Sequence, residues 1–203
     1  MIDFKKGLYL KTKSNYLYLS NLESLNALSI SISLKDINTI RNKRFKLILN
    51  ENTKIIDLKL KGKMINKNKI ITKIEKLKPK TGFGLIDREF YDSYEYISDY
   101  ISSKSLEDLI GLGKGLTPSG DDFLAGFLAV NFLLNKKLDF NFDYTRTNSI
   151  SARFLKYARK EIFSESLIKA LTKSPEYFEQ ILNYGHTSGA DTILGIYYAL
   201  KNI

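Results

Sequence analysis

Two helix starts in this chain carry the same spacing. Ser119-Gly120-x-Asp122 is followed after three residues by Gly126, and Ser188-Gly189-x-Asp191 is followed after three by Gly195. Each opens an apolar run, FLAGFLAVNFLL in the first case and TILGIYYAL in the second. A helix that is apolar almost all round is buried. Both starts are therefore drawn inward together with their carboxylates, and buried carboxylates need partners. The repeat predicts that the two turns face each other and build one polar site.

The first turn reads GLGKGLTPSGDD at 111–122. Alternating Gly111, Gly113 and Gly115 permit positive φ or close approach to a ligand. Thr117 suits an N-cap and Pro118 the first helical position. Ser119 and Gly120 then fall in the first turn, whose N–H groups have no helical partner. Asp121 and Asp122 follow, where the helix dipole favours carboxylates. The second turn reads GHTSGAD at 185–191. Two such ends offer N–H groups, hydroxyls and positive dipole ends, which suit an anion such as phosphate or carboxylate. The expected binding set is Gly113, Lys114, Gly115, Thr117, Ser119, Gly120, Ser188 and Gly189. The expected chemical set is Asp121, Asp122, Asp191 and His186, the imidazole moving a proton near neutral pH.

Other readings of the same residues stay open. Thr117, Ser119, Ser188, Asp122 and Asp191 serve simply as helix caps in the plainest one. In another, Asp122 and Asp191 hold Mg²⁺ or Ca²⁺ in a stand-alone metal-dependent hydrolase or transferase, or orient Lys114, Arg153 or His186. With one His and no Cys in the chain, a metal has to be a hard ion on oxygen ligands. No other cofactor is expected. The loop lacks the Gly-x4-Gly-Lys-Ser/Thr spacing of a P-loop, and GxGxG without a βαβ unit is no dinucleotide fingerprint.

Around the site, the chain divides by pattern. In residues 1–80, LYLKTKSNYLYLS and LNALSISISL alternate, and FKLILN, IIDLKLKG and KIITKIEKL follow at strand length. A small antiparallel sheet or barrel is expected there. Pro79 and the TGFG at 81–84 mark a boundary. Residues 81–203 then show helical spacing, with helices expected at 91–101, 106–110, 118–134, 149–163, 164–172, 175–183 and 189–200. The fold class is α+β, a basic β-rich part at 1–80 followed by a compact helical bundle at 81–203.

The net charge of +10 invites a nucleic-acid partner, but its distribution does not favour one. Residues 1–80 hold 19 Lys/Arg against 6 Asp/Glu, and the rest hold 13 against 16. The basic residues are mostly Lys, with little of the Arg that reads bases and phosphates bidentately. A basic binding module stays as an alternative. No run of apolar residues is long enough for a membrane span. The start, MIDFKKGLYLKTK, has no apolar h-region, so the cytoplasm is the expected compartment.

GLGKGLTPSGDDFLAG closely resembles the signature GLGPGLTPSGDDFLAG of the AllH-like family, with Lys114 where Pro is usual. TNSISARFLKYARKEIFSESL resembles the family's Thr-x-x-x-Ser helix, and GHTSGADTILG its Gly-His-(Ser/Thr)-Ser-Gly-Ala-Asp block. The resemblance covers about residues 80–203. It implies a subunit that works with companion proteins in allantoin degradation, a branch of purine catabolism. The associated reaction is oxamate carbamoyltransfer, in which carbamoyl phosphate and oxamate give oxalurate and phosphate. A small anionic substrate and partner subunits are therefore expected, within an oligomer.

Overall fold

The computed structural model describes residues 2–4, 7–11, 16–20, 26, 28–32, 40, 56–83, 88–136 and 138–202. It divides into two compact units, Met1–Leu58 and Lys59–Ile203.

Among its described residues the first unit has four strands in the order β1-β2-β3-β4: β1 Ile2–Phe4, β2 Gly7–Lys11, β3 Tyr16–Ser20 and β4 Ser29–Ser31. The first three pair antiparallel, as expected. The short β4 joins β3 in parallel. Tyr9 and Tyr18 face each other in the register and stack with ring centroids 4.5 Å apart. Such cross-strand aromatic pairs stabilise a sheet beyond their backbone bonds. The segment FKLILN lies outside the described residues.

The second unit begins before the composition changes. Leu60 N–H donates to Glu161 O at 2.7 Å, and Ile65 N–H donates to Leu171 O at 2.9 Å. The stretch expected as a strand, KIITKIEKL, is instead helical: α1 runs Lys67–Leu77. Its Ile and Thr content argues for a strand, but Ile70 and Ile74 sit one helical turn apart and are both buried. Asn66 caps the start by accepting from Asn68 and Lys69 N–H, and Lys78 ends the helix in the left-handed conformation.

The remaining helices fall close to where the pattern puts them. They are α2 Phe90–Ser103, α3 Ser119–Leu133, α4 Ser149–Ala158, α5 Glu165–Thr172, α6 Phe178–Ile181 and α7 Ser188–Lys201. Short 3-10 turns at Leu106–Leu109, Tyr144–Arg146 and Pro175–Tyr177 link them. The buried residues of α3 and α7 (among them Phe123, Leu124, Leu128, Ile193, Leu194 and Ile196) are at the heart of the core. Tyr197 on α7 donates to Glu75 Oε1 on α1 at 2.8 Å. Burial first, and this bond second, hold the Tyr197 phenol well above the ordinary tyrosine range.

α3 and α7 touch through their glycines, and the contact is reciprocal. A Cβ on Gly126 would lie 2.0 Å from Thr192 O, and one on Gly195 would lie 1.9 Å from Phe123 O. In the repeat, Gly126 corresponds to Gly195 and Phe123 to Thr192. Each helix thus lays its glycine on the carbonyl that its counterpart presents from the equivalent position. Only a residue without Cβ permits that approach, which is the physical reason for the shared third element of the repeat.

Candidate functional site

The reciprocal crossing brings the N-terminal ends of α3 and α7 together. The Thr117 and Ser188 hydroxyls hydrogen-bond at 2.7 Å across the pair. Thr117 was the expected cap of α3, but the helix starts at Ser119 with Pro118 in the cap position and no side-chain cap. The Thr117 hydroxyl is turned to the neighbouring helix instead. α7 likewise begins after Thr187 without a side-chain cap.

The two aspartates of the first turn part company. Asp121 is buried and accepts three hydrogen bonds, from Gly111 N–H at 2.8 Å, from Ser151 Oγ at 2.6 Å and from Thr147 Oγ1. These fix the glycine loop and the start of α4 to α3. Thr147 and Ser151 are the Thr-x-x-x-Ser pair of the sequence, and holding Asp121 is what that spacing does here. Asn148 adds a bond from Nδ2 to Leu116 O at 2.8 Å while its Oδ1 caps α4.

Asp122 faces Asp191 instead. Burial, and next the charge of Asp191, hold the Asp122 carboxyl well above the usual carboxylate range. Hydrogen bonding from Ser188 and Thr117 works the other way and is outweighed. Asp122 Oδ2 is buried and accepts no hydrogen bond from the described residues. Asp191, fully buried, accepts from Gly82 N–H through Oδ1 at 2.8 Å. The two repeat aspartates are thus close enough for their charges to act on each other.

Gly82 is a residue that sequence reasoning missed. It was read only as part of a boundary. A Cβ there would lie 2.5 Å from Thr187 Oγ1, 2.6 Å from Ser119 Oγ and 3.1 Å from Asp191 Oδ2. Two hydroxyls and a carboxylate oxygen thus converge on the bare face of one glycine. Thr187 was also overlooked, although it stands inside the second turn. A long-range contact to position 82 leaves no mark in local spacing.

The other expected binding residues are placed variously. Gly113, Lys114, Gly115 and His186 are exposed around the two turns. Gly113 has a φ of +113° and backs onto Ser119, whose N a Cβ would approach to 2.8 Å. Gly120 N–H donates to Leu112 O at 2.8 Å, and Gly189 N–H to Tyr184 O at 3.3 Å. These two glycines serve close packing: a Cβ on Gly120 would lie 1.9 Å from Leu109 O, and one on Gly189 2.0 Å from Ile181 O. Arg153 is half-buried on α4.

Residues 109–200 match the family model described as "Oxamate carbamoyltransferase subunit AllH". Over this stretch the chain is similar to that family. The stretch contains both turns, the aspartate pair and the Thr147/Ser151 clasp on Asp121, while Gly82 stands before it. No solved structure matches the chain. Among the described residues, no three or more His, Cys, Asp or Glu are grouped to hold a metal ion. None of the described helices is long and apolar enough to cross a membrane.

Proposed function

We propose that this chain acts as the AllH-type subunit of a carbamoyltransferase complex and binds a small anionic substrate where α3 and α7 begin. The observation that carries this reading is the Thr117–Ser188 hydrogen bond, which joins two helix N-termini that have no side-chain caps. Two positive dipole ends and four hydroxyls, from Thr117, Ser119, Thr187 and Ser188, then serve one small volume. Phosphate and carboxylate groups are the chemistry such a volume suits.

In the reaction implied by the family, the amide nitrogen of oxamate attacks the carbamoyl carbon of carbamoyl phosphate. The new C–N bond forms as the carbon–oxygen bond to phosphate breaks. Phosphate leaves with the electron pair, and the nitrogen gives up a proton. Gly113 and Gly115 let the loop backbone approach the bound anion, and Lys114 adds a cation at its rim. His186, exposed beside the second turn, takes the proton. Companion subunits complete the enzyme, in the allantoin branch of purine catabolism.

The test is phosphate release from carbamoyl phosphate with oxamate, using the full chain together with the proteins encoded beside it. Activity is expected only when the chain is present, and Ser188→Ala should lower it. Phosphate release that is unaffected by omitting the chain overturns the proposal.

A further inference from the structure

The acidic pair raises a question that the anion reading leaves open. Two buried carboxylates repel both each other and any phosphate brought beside them. A cation in that volume relieves both repulsions. The geometry points to a site for one hard divalent cation, Mg²⁺ in kind, held by Asp122 and Asp191 with the Ser119 and Thr187 hydroxyls and walled by Gly82.

Two separate observations support it, and the chemistry of the donors agrees. Asp122 Oδ2 is buried and accepts no hydrogen bond from the described residues, so one carboxylate oxygen is set aside from the hydroxyl network of Thr117 and Ser188. Ser119 Oγ, Thr187 Oγ1 and Asp191 Oδ2 converge on the bare face of Gly82, within 2.5–3.1 Å of where a Cβ would be. The donors are all oxygens, the chemistry that hard cations select. Mg²⁺ also usually binds through one or two carboxylates and completes its shell with water and substrate phosphate. Two carboxylates are what the two turns supply here. Bound there, a cation would offset the acidic pair toward phosphate and would supply Lewis-acid polarisation of the leaving oxygen. Gly82 N–H, by holding Asp191 Oδ1, orients that carboxylate with Oδ2 toward the two hydroxyls.

The cation site deepens the anion-binding reading, and only its link to phosphate depends on that reading. The probe is Mn²⁺, followed by electron paramagnetic resonance on the full chain after EDTA treatment, with and without inorganic phosphate. Wild-type protein should bind one Mn²⁺, more tightly when phosphate is present. Asp122→Asn should weaken binding roughly ten-fold or more. Gly82→Ala should do the same, because its methyl group displaces the Ser119 and Thr187 hydroxyls; the backbone at 82 is not left-handed, so the strain is confined to those side chains. Circular dichroism checks that both variants fold, and if Asp122→Asn does not, Gly82→Ala decides alone. Absence of bound Mn²⁺ on the wild type overturns the site, as does equal affinity in the folded variants. Mn²⁺ binding that ignores phosphate upholds the cation site and counts against the anion reading. Phosphate binding in EDTA with no Mn²⁺ site does the reverse.

Discussion

Thr117 and Ser188 stand 71 residues apart in the chain and 2.7 Å apart in space, hydroxyl to hydroxyl. That bond joins the two turns of the repeat directly, side chain to side chain. A double-mutant cycle with Thr117→Ala and Ser188→Ala should show coupling of about 0.5–1.5 kcal/mol in urea unfolding. Strict additivity would mean that the two hydroxyls do not act on each other.

The glycine crossing below it admits no side chain. The atoms that a new methyl would strike at Gly126 and Gly195 are backbone carbonyls at 2.0 and 1.9 Å, which have no rotamer to escape into. Gly126→Ala and Gly195→Ala should each cost about 1–3 kcal/mol of stability. The double variant should cost less than the sum, because either change alone already parts the helices. Thermal unfolding of all three tests this, and a neutral single variant would refute the close contact.

Asp121 and Asp122 are adjacent but should respond oppositely. Asp121→Ala strips the acceptor from Gly111, Thr147 and Ser151, at roughly 1–3 kcal/mol for each buried donor left unmet. At a pH high enough to ionise Asp122 in the folded chain, Asp122→Asn removes one of two mutually repelling charges and should raise the midpoint of thermal unfolding in metal-free buffer. Equal losses from both substitutions would contradict the division of labour described above.

The pH dependence of stability follows from the same pair. Asp122 binds its proton more tightly in the folded chain than in the unfolded one. The folded state therefore holds more protons over that interval, and stability falls as pH rises. The contribution is fully present below the unfolded carboxylate value near 4. It is lost as pH climbs through the raised folded value. EDTA-treated protein should lose stability over that range relative to Asp122→Asn. Parallel pH curves for the two proteins would show that burial does not perturb Asp122.

Much of this was readable from sequence because the features are local. The Ser-Gly-x-Asp-x3-Gly repeat marks two helix starts, and apolar runs after each mark them as buried. The long helices α3 and α7 follow from that pattern. α1 did not, because β-branched Ile and Thr mimic a strand while the turn-to-turn spacing of Ile70 and Ile74 and the Asn66 cap decide for helix. Gly82 was hidden for a different reason. Its partners are Asp191, Ser119 and Thr187, contributed from far along the chain, and no periodicity encodes a contact of that kind. The roles of Thr147 and Ser151 sat in plain view as a spacing, but only the fold shows that Asp121 is what they hold.

The helical unit starts at Lys59, well before the matched stretch at 109–200. A fragment cut to those family limits would lose α1 and with it Ile70, Ile74 and the Glu75 partner of Tyr197. It would also lose the Gly82 N–H that holds Asp191. Such a piece would uncover apolar core and release a carboxylate of the site in one step. Minimal expression clones, and searches for inhibitors run on them, therefore need to begin no later than residue 59 to retain the site as it stands in the helical unit.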